Sequence, residues 1–261
     1  MKILITGGNG YIAKSVHSSL STKYDITLVG RQDFDLTNYA ATCEFFEGKY
    51  FDVIIHTAVS GGSRLKPDSD TTLSDNLNMF WNLLANKSHY TRFVTFGSGA
   101  ELYNSSQPYG LSKKVIADAM SHREGFYNLR IYAVFDENEW DTRFIKANIH
   151  RHIDRDHLNI HSDKFMDFFY MEDLVSLVDY YITAVNPPTV IDCCYLEKYR
   201  LSDVAELINA QDKHKVEVRI GDPNLAENYT GNYIGLPIKL VGLKEGIRRT
   251  YIILKQNSWK A

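Results

Sequence analysis

Apolar residues in this chain come in short continuous runs, separated by stretches in which they recur at three- and four-residue spacing. The runs predict buried strands over residues 2–6, 25–29, 52–56, 92–96 and 126–132. The spaced stretches predict helices over 11–20, 38–46 and 70–86, and a further helix opened by Pro108, a residue suited to a first helical turn. Strands alternating with helices predict an α/β fold. The expected form is a Rossmann-like, doubly wound parallel sheet with ligands at the carboxyl ends of its strands. Beyond Asp136 the rhythm loosens. Helices are expected over 142–155, 171–183, 201–208 and 240–254, with strands over 158–161, 190–194 and 216–220. Residues 221–237, rich in Gly, Asn and Pro, read as irregular. Residues 1–135 are therefore expected to form a dinucleotide-binding domain. Residues 136–261 partly complete the sheet and partly form a small substrate-binding lobe, with no linker between them.

The first strand runs into Thr6-Gly7-Gly8-Asn9-Gly10-Tyr11-Ile12-Ala13. Glycines at this junction turn the chain tightly and let a pyrophosphate reach the N-terminus of the next helix. Gly7, Asn9, Gly10, Tyr11 and Ile12 are the candidate contacts, and Ala13 stands where the usual pattern has a third glycine. Arg31 follows the second strand, and no acid is evident at its tip. Arginine suits a ribose 2′-phosphate and an acid suits a 2′-hydroxyl, so NADP is favoured over NAD. Asp35 and Leu36 are candidates for the adenine end. The third strand ends in His56-Thr57-Ala58-Val59-Ser60-Gly61-Gly62, whose small residues permit close passage of a cofactor at Ala58 and of a substrate at Ser60 and Gly61.

Tyr109 and Lys113 lie four residues apart and share one helix face. A tyrosine, with an ordinary pKa near ~10, is a poor acid–base group at neutral pH until a nearby ammonium favours its phenolate. Ser98, at the end of the fourth strand, is the candidate hydrogen-bond donor to a substrate carbonyl, with Gly99 and Ala100 beside it. Ser98, Tyr109 and Lys113 are thus the candidate catalytic residues.

The order of these motifs, followed by Asp-Phe-Phe-Tyr-Met-Glu-Asp-Leu-Val at 167–175, resembles the extended short-chain dehydrogenase/reductase family over nearly the whole chain. Within that family, residues 28–37 and 58–62 look most like the GDP-L-fucose synthase branch. The resemblance implies that Lys113 holds the nicotinamide ribose while Tyr109 protonates a nascent alkoxide. It also implies a homodimer paired through helices 70–86 and 108–123, with Met79, Phe80 and Trp81 as apolar contributors. Two departures matter: Ala100 and Asn138 stand where that branch has a cysteine and a histidine for epimerisation. Ser98-Gly99-Ala100-Glu101 likewise lacks the Thr-Asp-Glu of the dehydratases. The function implied is NADPH-dependent reduction at carbon 4 of a nucleotide-activated 4-keto-6-deoxysugar, without 3,5-epimerisation, in deoxysugar biosynthesis. The alternatives are a nucleotide-sugar 4-epimerase, a bifunctional 3,5-epimerase/4-reductase and a non-catalytic NADP sensor. Asn138 and Arg143 are expected at the substrate, with Lys164 and Arg219 as other candidates for its diphosphate and His161 or Glu101 as substitute bases.

Composition narrows the partners. A 261-residue chain that is 44% hydrophobic is long enough for a large core. A net charge of −3, with both signs scattered, carries no footprint for nucleic acid or a membrane surface. Three cysteines, two of them adjacent, suit a reduced, cytoplasmic protein, with neither a leader peptide nor a metal site expected.

Overall fold

The computed structural model describes residues 1–63, 65–224 and 226–258. The chain divides into two compact units, Met1–Ile131 with Val175–Asp192, and Tyr132–Leu174 with Cys193–Ala261.

The first unit opens with β1 (Lys2–Thr6), α1 (Tyr11–Leu20), β2 (Asp25–Val29), α2 (Tyr39–Phe46) and β3 (Phe51–His56). It continues with α3 (Thr72–Ala85), a 3-10 turn at Lys87–His89, β4 (Tyr90–Ser98), α4 (Ala100–Tyr103), α5 (Pro108–Met120) and β5 (Phe126–Ile131). Strands β1 to β5 pair in parallel, with Ile5 opposite Leu28 and Ile55, and Ser98 opposite Ile131. Ile3, Leu4 and Ile5 are wholly buried, as are Val53, Ile54 and Ile55. These are continuous apolar runs, as a sheet covered on both faces requires. Each such side chain withdrawn from water contributes about 1.5–3 kcal/mol. Tyr90, Phe93 and Phe126 join Met79, Phe80 and Leu83 of α3 in one buried cluster. Met79 and Phe80 therefore face the core rather than a dimer surface, while Trp81 is 41% exposed.

The second unit holds β6 (Val134–Phe135), α6 (Phe144–Ile153), β7 (Leu158–Ser162) and β8 (Phe169–Tyr170). There α7 (Met171–Thr183) begins, passing into the first unit at Val175. In the first unit Arg92 clasps the carboxyl end of α7 through the carbonyls of Tyr181 and Ala184, and β9 (Val190–Cys193) follows. The sheet order is β2-β1-β3-β4-β5-β9, so the chain reverses its direction of build between β1 and β3. In such sheets that reversal opens the ligand crevice. The second unit is completed by α8 (Leu201–Asn209), β10 (Val218–Asp222) and α9 (Leu243–Ser258). Strand β10 pairs in parallel with β7, and β6 with β8. Two acids of the 167–175 block brace loops in this unit. Asp173 accepts from the Tyr195 hydroxyl at 2.6 Å and from the Val241 and Gly242 amides, and Asp167 accepts from Lys198 and from the Gly231 amide.

Among the described residues, no helix is long and apolar enough to cross a membrane, and no His/Cys/Asp/Glu group is arranged to hold a metal ion. Cys43, Cys193 and Cys194 form no disulfide.

Candidate active site

A cleft opens at the β1/β3 reversal. The glycine turn forms its floor, Thr57 to Val59 one wall, and the segment after β2 the other. Gly7 has φ +78°, and a Cβ there would lie 2.6 Å from the Ala58 amide nitrogen and 2.7 Å from Thr57 Oγ1. Only glycine fits that position. The turn closes through the Gly10 amide on the Gly7 carbonyl at 2.8 Å and delivers the chain into α1 at Tyr11. The N-terminal end of α1, carrying Tyr11 and Ile12, is thereby presented as an anion site. Asn9 donates to Gln32 Oε1 at 3.0 Å, fastening this turn to the tip of β2. Arg31, Phe34, Asp35 and Leu36 line the cleft with Ala58 and Met79. The cradle, the helix end and the apolar slot fit a dinucleotide.

The tip of β2 differs from the sequence expectation. An acid does sit there: Asp33 folds back through a turn to Gly30, and its Oδ2 accepts from the Gly30 amide at 2.7 Å and from Gln32 at 3.0 Å. The signal for it was a Gly followed three residues later by Asp, a turn in which the carboxylate caps the strand's last amide. Asp35 lines the cleft, but its Oδ1 accepts from both the amide and the hydroxyl of Thr37, and these bonds hold its carboxyl below the usual range.

The ends of β4 and α5 carry the candidate catalytic groups. Lys113 is half-buried and donates to the Phe96 carbonyl at 2.8 Å. Desolvation draws its ammonium pKa down to about 8, against the opposing pull of the Glu101 carboxylate. Its nitrogen lies 5.8 Å from the centroid of the Tyr109 ring. Burial, reinforced by Lys113, takes His56 down to about 3, so the imidazole stays neutral, 2.8 Å from Thr6 Oγ1. Ser98 is buried, and its Oγ accepts the Ala100 amide at 3.1 Å at the start of α4. Gly99 and Ala100 are buried within the same turn.

The loop after β3 is fastened over α5 by two side chains. Asn76 accepts from the Ser60 amide at 2.7 Å and donates to the Ser60 carbonyl and to Ser112 Oγ. Asp68, which drew no attention in the sequence, bridges the Gly62 and Tyr109 amides at 2.8 and 2.9 Å. Gly62 thus lies against the Tyr109 ring, and Gly61 is exposed on the same loop.

In the second unit Asn138 is exposed, and its side chain meets Asp136 and Glu137. Arg143 is paired with the buried Glu139 at 3.4 Å. Burial raises the Glu139 carboxyl to about 8, with Arg143 pulling the other way. Arg219 is paired with Glu217, so its charge is already matched. His161 is exposed on β7.

A family model described as the NAD dependent epimerase/dehydratase family matches residues 3–194, and the chain belongs to that family. It is a nicotinamide-dinucleotide-dependent oxidoreductase. No curated protein matches it by sequence. Solved structures share the fold at low identity. A GDP-L-fucose synthetase from Naegleria fowleri bound to NADP matches with TM-score 0.78 and 16% identity over 100% of this chain and 94% of its own. A GDP-mannoheptose C4 reductase from Campylobacter jejuni with NADP bound matches with TM-score 0.82 and 17% identity, over 97% and 98%. UDP-glucose 4-epimerase from Thermotoga maritima matches with TM-score 0.80 and 15% identity, over 99% and 100%.

Proposed function

We propose that the protein reduces carbon 4 of a nucleotide-activated 4-keto-6-deoxysugar with NADPH and does not epimerise carbons 3 or 5. The observation that carries the reading is the placement of Lys113, Tyr109 and Ser98 at the ends of β4 and α5, in the unit that holds the dinucleotide cradle. When bound, NADPH supplies a hydride. Tyr109 delivers a proton to the oxygen of the carbonyl being reduced, and Ser98 hydrogen-bonds that oxygen. Lys113, an ammonium at neutral pH with a pKa of about 8, holds the nicotinamide ribose and steadies charge on Tyr109. Similarity to a GDP-L-fucose synthetase and a GDP-mannoheptose C4 reductase supports a GDP-linked substrate. Arg143 is our choice for its diphosphate. Loss of epimerisation follows from Ala100 and Asn138, since neither a methyl nor a carboxamide exchanges a carbon-bound proton at neutral pH.

The test is incubation with NADPH and a panel of GDP-, dTDP- and CDP-linked 4-keto-6-deoxysugars in heavy water. The expected result is stoichiometric loss of NADPH absorbance, the transferred hydride at carbon 4, and no enzyme-dependent deuterium at carbons 3 or 5. Deuterium there would restore a bifunctional 3,5-epimerase/4-reductase. The Asp33 carboxylate at the β2 tip favours one second reading, a 4-epimerase that retains NAD. That enzyme would interconvert 4-hydroxy epimers without consuming cofactor.

Cofactor choice has its own test. An arginine fork on a 2′-phosphate contributes about 1.5–3 kcal/mol as charge-assisted hydrogen bonds. Arg31→Ala is therefore expected to lower the NADPH:NADH ratio of kcat/KM by ~10–100-fold. An unchanged ratio would leave Arg31 as a surface charge. For assembly we propose a homodimer through α3 and α5, where Trp81 and Leu111 are exposed.

A further inference from the structure

Sequence marked Glu101 as a substitute base, and the structure gives it other work. The side chain is 4% exposed, beneath the turn that carries Ser98. Its Oε1 accepts the Ser98 amide at 2.9 Å, and its Oε2 accepts Arg130 Nε at 2.9 Å. Asn128 donates to both oxygens at 3.3 and 3.4 Å. Arg130 passes on to Asp192 at 2.7 Å, so acid, base and acid stand in a row from α4 through β5 to β9. A Cβ at Gly97 would lie 2.3 Å from Glu101 Oε1, so the carboxylate presses directly on the β4 backbone. With its lone pairs engaged and its body buried, Glu101 does not reach a substrate. What it grips is the last turn of β4, and Lys113 grips the same turn one residue away from Gly97, at the Phe96 carbonyl.

We propose that Glu101 is a positioning residue that acts through Ser98 and Lys113. Its role in turnover rests on the reductase reading above; its effect on Lys113 does not. The amide bond fixes the Ser98 backbone, and through it the Oγ that caps α4. Its charge acts on the Lys113 ammonium and raises its pKa, while Lys113 also lies near neutral His56 and the Tyr109 ring. Arg130 sets a cation against the Glu101 carboxylate at 2.9 Å and is itself held in place by Asp192 at 2.7 Å.

Removing a negative charge disfavours the ammonium, so Lys113 loses its proton at lower pH. Proton delivery by Tyr109 then fades at lower pH as well. Two readouts are used: the kcat–pH profile, and the Lys113 13Cε shift in lysine-labelled protein, assigned with Lys113→Arg. Glu101→Gln keeps the size and loses the charge. The expected result is a kcat at least ~10-fold lower with substrate KM little changed, and an alkaline limb and Lys113 midpoint each moved down by ~1 unit. Glu101→Asp keeps the charge on a shorter arm. It should lower kcat while leaving the alkaline limb near its original place. Dinucleotide affinity within about twofold of the parent verifies that each variant is folded. An unmoved Lys113 midpoint in Glu101→Gln, or a normal kcat, overturns the proposal. The shift titration decides it even if the parent turns over none of the keto sugars, an outcome that sinks the reductase reading instead.

Discussion

Replacing Tyr109 by Phe is expected to cut keto-sugar reduction by ~10²–10⁴-fold and to leave NADPH affinity within about twofold. The ring is what packs: it lies against Gly62, and the Tyr109 amide, not its hydroxyl, carries the bond to Asp68. Phenylalanine preserves both contacts. Only the proton donor goes, and with it the means of neutralising the alkoxide as hydride arrives. Ser98 and the bound cofactor remain, so residual turnover above the uncatalysed rate is expected. Steady-state kinetics alongside a fluorescence titration of NADPH separates the two effects. Turnover close to the parent rate would remove Tyr109 from the mechanism and return the search to other acids near β4.

Gly7→Val is expected to abolish measurable dinucleotide binding, raising Kd by at least ~100-fold, about 2.7 kcal/mol. A β-branched residue at φ +78° is strained by itself, and its Cβ has no room 2.6 Å from the Ala58 nitrogen. The turn has to open or the wall after β3 has to retreat, and either change spoils the anion site at α1. Gly10→Ala is the control: Gly10 has φ −75°, and an added Cβ lies 3.1 Å from the Gly7 carbonyl, a contact that small shifts relieve. That variant should bind NADPH within about fivefold of the parent. If Gly7→Val binds as well as Gly10→Ala, the cofactor does not use this turn.

The fold was most legible where burial alone shapes the sequence. The elements at Lys2–Thr6, Tyr11–Leu20 and Met171–Thr183 fall where apolar periodicity puts them, since each buries a continuous run or a helix face. Strand β4 shows the limit. Its core was evident at 92–96, yet it runs Tyr90–Ser98, because Tyr90 pairs with Phe51 and Ser98 with Ile131. Pairing partners set strand ends, and they are distant in sequence. The two-residue strands β6 and β8 and the four-residue α4 are too short to carry any period. Glycine and Tyr-x-x-x-Lys spacing marked the candidate site because its chemistry leaves local traces. Asp68 left none that could be weighed: it is an ordinary acid until folding brings it to the Gly62 and Tyr109 amides.

The chain's return to its first unit at Val175–Asp192 bears on how the protein is made. A ribosome that has released residues up to Ile131 has delivered β1 to β5 but not β9, the neighbour of β5 in the finished sheet. Until about sixty more residues emerge, β5 presents an unpaired edge, the kind of surface that recruits foreign strands. Asp192, which shares Arg130 with Glu101, arrives with that late segment, leaving a half-buried cation with one of its two partners missing in the nascent sheet. A premature stop anywhere before β9 would therefore yield a sticky fragment rather than a smaller working domain, and neither unit can be cut out of the gene with a single pair of primers.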